Sequence, residues 1–183
     1  MSLLSAADQQ KLREAFDRMT RSVRLLFFSQ AIGCETCGET RQILDELRGL
    51  SDRISVEEIN LVLEGDKAKQ YGVDRAPAIA IAYESGSSEP GGSGESGESD
   101  RSGESSGSGG SSEASSTGDG RMSDTMKDSR IRFLGAPSGW EFVSLVQAVL
   151  LAGGRESALS AASLDRLRAV DRPITMQVFT TPT

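Results

Sequence analysis

Along the first half of the chain, segments with the apolar spacing of a strand alternate with segments that have the spacing of a helix. A nearly continuous apolar run, Val23–Ser29, is typical of a strand that is buried on both faces of a sheet. Apolar residues then recur at every third or fourth position over 37–50, which predicts an amphipathic helix. The alternation over Ile54–Asn60, with one irregular step, predicts a second strand. A strand, a helix and a strand in this order imply a parallel pair with a right-handed crossover.

The same criteria predict further elements before and after this unit. They are a helix at 6–19 begun by Ser5 or Asp8, a helix at 64–71 ended by Gly72, a strand headed by Pro77, a strand at 129–135, and helices at 140–151 and 155–170. Ser138 and Glu141 fit a capping box, and we expect Trp140 to pack at the start of the helix that follows. Apolar residues at 174–180 align with those of Val23–Ser29, which predicts a last strand and an internal repeat.

The composition changes abruptly between the third and fourth strands. Residues 84–128 are mainly Gly, Ser, Glu and Asp, with about ten acidic and three basic side chains. Such a segment buries too little apolar surface to offset the entropy of ordering, so we expect it to be disordered. Its charge accounts for the net −7 of the 183-residue chain, which leaves the remainder close to neutral. The acidity argues against a nucleic-acid partner and says nothing about a site.

No targeting or membrane segment is evident in the sequence. The chain lacks a window of about 18 apolar residues that could span a bilayer. Residues 1–5 lack the basic and apolar regions of a secretory signal. The chain has two cysteines at close spacing, which suits a reducing cytoplasm better than an oxidising exterior. We therefore expect a cytoplasmic protein without membrane contact.

The two cysteines form the motif Cys34-Glu35-Thr36-Cys37 at the predicted turn from the first strand into a helix. A C-x-x-C at such a turn indicates a redox dithiol. The thiolate is the attacking species in disulfide exchange, and the partial positive charge of a helix N-terminus favours an anion. We expect Cys34 to have a lowered pKa and to act as the nucleophile, with Cys37 as the resolving thiol. The charge of Glu35 should offset part of the helix effect.

Two other interpretations of this motif stay open. A C-x-x-C can supply half of a zinc or iron–sulfur site, although such a site usually needs four ligands. The chain has no histidine and no third cysteine, so a second chain would have to complete the site. The cysteines can also be chemically inert. We expect neither a metal nor a cofactor.

Four segments of the chain, taken together, carry a family resemblance. They are Cys34-Glu35-Thr36-Cys37, Asp74-Arg75-Ala76-Pro77-Ala78, the stretch 133–142 with its Gly-Ala-Pro-Ser-Gly turn, and the stretch 178–183. The combination resembles the glutaredoxin-like protein disulfide oxidoreductases, which carry two thioredoxin-fold units in tandem. The resemblance implies an α/β, thioredoxin-like fold, with a mixed central sheet flanked by helices. It covers the chain apart from the Gly/Ser-rich insert and the extreme N-terminus.

The resemblance also implies a substrate site beside the dithiol. Pro77 should follow a cis peptide bond and lie against the dithiol, and Ala76 should offer backbone hydrogen bonds to an extended substrate. Gly135 should lie nearby, where a side chain would block the substrate. Family members reduce, form or isomerise protein disulfides. The implied partners are therefore protein disulfides, together with a disulfide reductase, similar to thioredoxin reductase, as the electron donor.

The chain departs from the family pattern at three places. A second C-x-x-C is missing, so 174–183 is interpreted as the first strand of an incomplete second unit. The Gly/Ser-rich insert stands where the family has a short turn. Thioredoxins carry a buried carboxylate about six positions before the nucleophile, and here that position is Phe28. We expect no proton acceptor for Cys37 there.

These observations predict one thioredoxin-like domain at 1–153, with the insert at 84–128 and a helical connector at 154–173. The predicted function is thiol–disulfide exchange on protein disulfides. One alternative is an electron-relay domain in a peroxidase system like that of alkyl hydroperoxide reductase. Another is a non-catalytic thioredoxin-fold binding module whose acidic tract recruits a partner. The direction of exchange does not follow from the sequence, because potentials in this fold span more than about 100 mV.

Overall fold

The computed structural model describes residues 3–85 and 126–180. These ranges contain four strands, namely β1 Val23–Ser29, β2 Ile54–Asn60, β3 Ala78–Glu84 and β4 Met126–Leu134. They also contain five helices, namely α1 Ala6–Phe16, α2 Cys37–Arg48, α3 Gly65–Gln70, α4 Trp140–Ala152 and α5 Ala161–Arg168. No helix within the described ranges is long and apolar enough to cross a membrane.

The strands form one mixed sheet in the order β2-β1-β3-β4. β1 and β2 are parallel, with Val23 opposite Ile54, as the order of strand, helix and strand predicted. β3 is antiparallel to both β1 and β4. As a result β1, β2 and β4 all end at the edge of the sheet where β3 begins. We call this edge the C-terminal edge.

The side chains of β1 divide the core into two clusters, one on each face of the sheet. Leu25 and Phe27 belong to the larger cluster, which includes buried residues of α2 and α4. Leu26 and Phe28 belong to the smaller cluster, to which α3 contributes Ala68. These four β1 side chains are at most 1% exposed, which confirms the prediction of a strand buried on both faces. Burial of each contributes about 2 kcal/mol, so β1 anchors both clusters.

The helix boundaries differ from the prediction where local caps or turns end the helix. Ser5 caps α1, and the helix ends at Phe16 instead of at 19. Met19 is still 3% exposed, because the chain turns after the helix and leaves this side chain in the larger cluster. The predicted helix at 155–170 is confined to α5, because the Ser160 hydroxyl accepts a hydrogen bond from the N–H of Ser163 at 3.2 Å and starts the helix there.

The predicted capping box of α4 is wrong, and so is the predicted packing of Trp140. Gly139, at φ +56°, holds the N-cap position, and Ser138 accepts the N–H of Glu141 through its backbone carbonyl at 3.1 Å. Trp140 is 83% exposed. It precedes the buried Val149 by about two and a half helical turns, which puts the two on opposite sides of α4.

The sheet continues further than the predicted insert boundaries of 84 and 128 allowed. β3 includes Glu84 and β4 begins at Met126, and these two residues are paired. The N–H of Glu84 also donates to the carbonyl of Ser22, which secures the end of β3. Strand pairing overrides the polar composition at both ends. The rest of the predicted insert, 86–125, lies outside the described residues.

Residues 174–180 pair with no strand in the described part of the chain. The large apolar side chains of this segment are exposed, from 67% at Ile174 to 89% at Phe179. A strand needs a neighbour to pair with, and no described neighbour is present. The assignment of 174–183 to a second unit stays a prediction, and 181–183 lie outside the described residues.

Candidate active site

The two cysteines lie at the C-terminal edge of the sheet, where the chain leaves β1 and enters α2. A turn that includes Gly33, at φ +78°, separates them from the end of β1. Cys34 and Cys37 are joined by a disulfide, with their Cα atoms 5.4 Å apart. Cys37 is 8% exposed and belongs to the larger cluster, whereas Cys34 is only partly buried at its margin. An incoming reactant therefore reaches the Cys34 sulfur more readily.

The start of α2 leaves backbone donors free of a side-chain cap. Thr36 is the N-cap residue, and its hydroxyl makes no capping hydrogen bond. The N–H of Cys37 points back to the carbonyl of Cys34 at 3.5 Å. Uncapped N–H groups and the helix dipole favour a negative charge within the first turn. This is the environment that stabilises a thiolate on the preceding cysteine.

The residues of the implied substrate site meet at the same edge. The Ala76–Pro77 peptide bond is cis, as the resemblance implied, and Pro77 is buried. The N–H of Gly135 donates to the carbonyl of Pro77 at 2.9 Å, which joins the end of β4 to the start of β3. Ala76 and Cys34 both pack against the cluster that contains Cys37.

The backbone around this point is open to a ligand. Ala76 makes no backbone hydrogen bond to another described residue, so its N–H and C=O are free to bind an extended peptide. A side chain on Gly135 would project into open space, and the φ of +115° favours glycine there. The geometry thus leaves room beside Pro77 on the side where Gly135 lacks a side chain.

The position of the thioredoxin carboxylate is occupied by an aromatic side chain that faces away from the dithiol. Phe28 belongs to the smaller cluster and packs on Tyr71, with ring centroids 6.1 Å apart. Phe27 instead shares the larger cluster with Cys37. Neither side chain can accept a proton.

Sequence reasoning missed a polar network on the dithiol face. Ser29 is 7% exposed at the end of β1, and its hydroxyl donates to the Glu58 carboxylate at 2.6 Å. Glu58 also forms an ion pair with Arg41 of α2. Glu57 points to the other face, where it pairs with Lys67. Glu57 and Glu58 are the two consecutive polar residues that interrupt the alternation of β2, and this interruption was the only sign of them in the sequence. Each has an ionic partner on its own face of the sheet.

Within 3–85 and 126–180, no group of three or more His, Cys, Asp or Glu side chains could hold a metal ion. No family model matches the chain, and no curated protein matches its sequence.

Solved structures resemble the chain in fold. The N-terminal domain of alkylhydroperoxide reductase AhpF from Enterococcus faecalis matches with a TM-score of 0.61 and 22% identity, over 92% of this chain and 62% of that chain. A protein disulfide oxidoreductase from Aeropyrum pernix matches with a TM-score of 0.59 and 18% identity, over 90% of this chain and 54% of that chain. The chain therefore spans less than two thirds of either solved chain. The predicted fold class, an α/β thioredoxin-like fold, is confirmed.

Proposed function

We propose that the chain is a thiol–disulfide oxidoreductase that acts on protein disulfides through Cys34 and Cys37. The observation that carries this proposal is the Cys34–Cys37 disulfide at the uncapped start of α2, with Cys34 partly exposed and Cys37 buried. A structural disulfide has no need of a partly exposed cysteine at a helix N-terminus. An exchanging one needs both features.

In the reductive direction the Cys34 thiolate attacks one sulfur of a substrate disulfide. The S–S bond of the substrate breaks, a mixed disulfide forms, and the first substrate thiolate leaves and takes a proton from water. Cys37 then loses its proton to solvent and attacks the Cys34 sulfur, which releases the second substrate thiolate. The substrate gains two electrons and two protons, and the chain ends in the disulfide form.

Ala76, Pro77 and Gly135 would position the substrate in this mechanism. The free backbone groups of Ala76 can pair with an extended substrate segment, as an added strand pairs with a sheet edge. Pro77 holds the end of β4 nearby, because its carbonyl accepts the N–H of Gly135, and Gly135 leaves space for the substrate backbone. These roles for the three residues are part of the proposal.

The partners follow from the chemistry. Substrates are protein disulfides, and a disulfide reductase, similar to thioredoxin reductase, returns two electrons to the Cys34–Cys37 pair. The dithiol needs no cofactor of its own for this exchange. We also propose a cytoplasmic location, where reductants keep such a pair in use.

A redox titration with thiol trapping tests the proposal. The chain is equilibrated in defined dithiothreitol ratios, blocked with a bulky maleimide and analysed by gel shift. We expect one two-electron transition between about −300 and −120 mV. Cys37→Ser should form a covalent mixed disulfide with a substrate protein, and Cys34→Ser, the matched control, should form none. A pair that shows no reversible transition would remove the oxidoreductase proposal.

A second candidate function is electron relay in a peroxidase system. The likeness in fold to the N-terminal domain of AhpF favours it. The same dithiol would pass two electrons from a reductase to a peroxidase disulfide. Reaction with a peroxidase disulfide at least tenfold faster than with unrelated protein disulfides would distinguish this role.

A further inference from the structure

Two large apolar side chains near the dithiol are almost fully exposed. Ile32, in the turn before Cys34, is 89% exposed, and Trp140, the first residue of α4, is 83% exposed. Trp140 is the sole tryptophan of the chain. Large apolar side chains left in water next to a reactive group are typical of a surface that binds a partner.

The topology brings these two side chains to the same edge. α2 begins where β1 ends and α4 begins shortly after β4 ends, and both strands end at the C-terminal edge. Both helices bury their apolar side chains in the larger cluster, so they lie on the same face of the sheet. β1 and β4 are two strand positions apart, which is about 10 Å. The turn that carries Ile32 and the start of α4 that carries Trp140 therefore both lie at the C-terminal edge, where the dithiol also lies.

Two acidic side chains lie at the same edge, on α2 and in the turn before it. Glu35 and Glu39 are exposed, and neither forms an ion pair with another described residue. The neighbouring cations are already neutralised, because Arg41 pairs with Glu58 and Arg75 with Asp74.

The Asp74–Arg75 pair stays neutral overall around pH 7. The hydrogen bond and the positive charge of Arg75 hold the pKa of Asp74 below its usual value, so the carboxylate stays ionised. Because the described cations near the dithiol have acidic partners, Glu35 and Glu39 carry uncompensated charge beside the cysteines. Glu141, beside Trp140, also has no ion pair with a described residue and adds to the negative charge of this edge.

We propose that Ile32, Glu35, Glu39 and Trp140 form a docking rim that selects disulfides in segments bearing apolar and basic side chains. This inference rests on the proposed function and adds its substrate class. Apolar substrate residues contact Ile32 and Trp140, and a lysine or arginine beside the substrate cysteine faces the two carboxylates. Charge complementarity of this kind raises the rate of encounter and rejects acidic segments.

The terminal segment 174–180 of the chain itself fits the rim less well. It is apolar, and Thr180 donates a hydrogen bond to Glu141, next to Trp140. It contains no basic residue to face Glu35 and Glu39. Its side chains are exposed and leave Trp140 uncovered.

Matched peptides test the docking rim on the full reduced chain. Three peptides carry the same intramolecular disulfide and the same leucine, and differ only in having Lys, Gln or Glu beside the cysteines. Stopped-flow fluorescence of Trp140 gives the second-order rate constants, and 2-hydroxyethyl disulfide serves as the small reference substrate. We expect the Lys peptide to react roughly 3- to 10-fold faster than the Glu peptide at low salt, with the ratio approaching one at about 0.5 M salt.

Variants separate the two halves of the rim. Glu35→Gln with Glu39→Gln should bring the Lys-to-Glu ratio near one. The matched control, Asp17→Asn with Asp52→Asn, removes two exposed acids that precede β1 and β2 at the opposite edge and should keep the ratio.

Trp140→Ala should lower the rate for the leucine peptide relative to an alanine peptide by roughly 3-fold or more. Leu151→Ala, near the other end of α4, is its matched control. In these variants the reduction of the peptide disulfide, and the matching oxidation of the chain, is followed by thiol trapping.

The outcomes distinguish failure of the rim from failure of the function. If the chain does not react with 2-hydroxyethyl disulfide, the proposed function is wrong and the rim has no role. If it reacts with that reagent but treats the three peptides equally, or prefers the Glu peptide, only the docking rim is overturned.

Faster reaction with every peptide after removal of 174–180 would mean that this segment occupies the rim. Rate constants that fall as chain concentration rises would assign it to a second copy. Either result overturns the proposal.

Discussion

At the scale of single residues, Asp128 and Arg132 hold β4 in place where the chain returns to the sheet. Arg132 makes two hydrogen bonds to the Asp128 carboxylate, at 2.6 and 2.8 Å, and a third to the carbonyl of Tyr71 at 2.8 Å. The Asp128 carboxylate also accepts the N–H of Arg130, whose φ is +62°. These bonds support the irregular register between β3 and β4. Hydrogen bonds of these polar side chains thus help β4 to begin at Met126, three residues before the start that the polar composition led us to predict.

Asp128→Asn should lower the free energy of unfolding by about 1 kcal/mol at pH 7. Burial raises the pKa of Asp128, but the hydrogen bonds from Arg132 and Arg130 outweigh it and hold the pKa below its usual value. The unfolded chain therefore binds this proton more readily than the folded chain does. The ionised carboxylate stabilises the fold above about pH 4, and the stabilisation is lost as the pH falls through the lowered pKa that Asp128 has in the folded chain. Urea unfolding at pH 7, 5 and 3 measures the difference between the two proteins.

Asp165→Asn is the control for this prediction. Asp165 pairs with Arg168 on α5 with both side chains exposed, so its loss should change stability by less than about 0.5 kcal/mol. A destabilisation by Asp128→Asn that is as large at pH 3 as at pH 7 would contradict the role of the ionised carboxylate.

At the scale of elements, the end of α4 is fitted against the connection between α1 and β1. The carbonyl of Gly153 accepts the N–H groups of Thr20 and Arg21, at 2.8 and 3.1 Å. Gly154 has φ +101°, and a side chain on it would overlap the Thr20 hydroxyl. The Gly153-Gly154 pair, which the sequence marked as the end of this unit, therefore ends α4 and also allows two backbones to approach closely.

Gly154→Ala should destabilise the protein more than Gly72→Ala does. Both glycines have positive φ, but a side chain on Gly72 would meet open space. We expect a loss of about 1 kcal/mol for Gly72→Ala from its backbone alone and about 3 kcal/mol for Gly154→Ala. Thr20→Ala in the Gly154→Ala background should recover about 1 kcal/mol, because it removes the overlapping oxygen. Denaturant midpoints of the four proteins provide the test, and equal losses for the two glycine variants would refute the close approach.

At the scale of the whole molecule, Glu84 and Met126, between which 86–125 stand in the chain, lie at the end of the sheet opposite the dithiol. β3 begins beside Pro77 at the C-terminal edge and runs about 20 Å to Glu84 at the other edge. Glu84 is paired with Met126, so the chain leaves and re-enters the sheet at adjacent positions. Because both attachment points are far from the dithiol, we expect 86–125 to leave its geometry unchanged.

Replacing 86–125 with a turn of about four residues should leave exchange chemistry unchanged. We expect the rate constant with 2-hydroxyethyl disulfide and the reduction potential to stay within about twofold and about 10 mV of the full chain, since about 20 Å separates the two ends of the sheet. Stopped-flow rates and the redox titration measure both quantities. A replacement by a shuffled sequence of the same length is the control. A tenfold fall in rate in the shortened chain alone would contradict this independence.

The fold followed closely from the sequence where the pattern is local. β1 and β2 have the predicted bounds, because continuous and alternating apolar patterns report burial directly. The start of α2 at Cys37 was predicted for the same reason. The capping box at Ser138 failed because Gly139 adopts a positive φ and takes the cap position, which the neighbouring residue types do not reveal.

The candidate site followed only in part. Cys34 and Cys37 were evident from their spacing, whereas the approach of Gly135 to Pro77 was implied by resemblance and not by any local pattern. Phe28 shows why the number of residues between it and Cys34 does not decide whether its side chain faces the dithiol. Alternation puts Phe27 and Phe28 on opposite faces, but only the packing of α2 decides which face holds the dithiol.

The sequence by itself determined the order of the first strands and helices, the dithiol at a strand-to-helix turn, and the abrupt change of composition after β3. These features are local, because they depend on the spacing of residues within one element. Only the tertiary structure decided that Trp140 is exposed, that Glu58 is held by Ser29 and Arg41, and that α2 and α4 begin at the same edge of the sheet. These depend on which strands pair and which helix face meets the sheet, and residues far apart in the chain settle both.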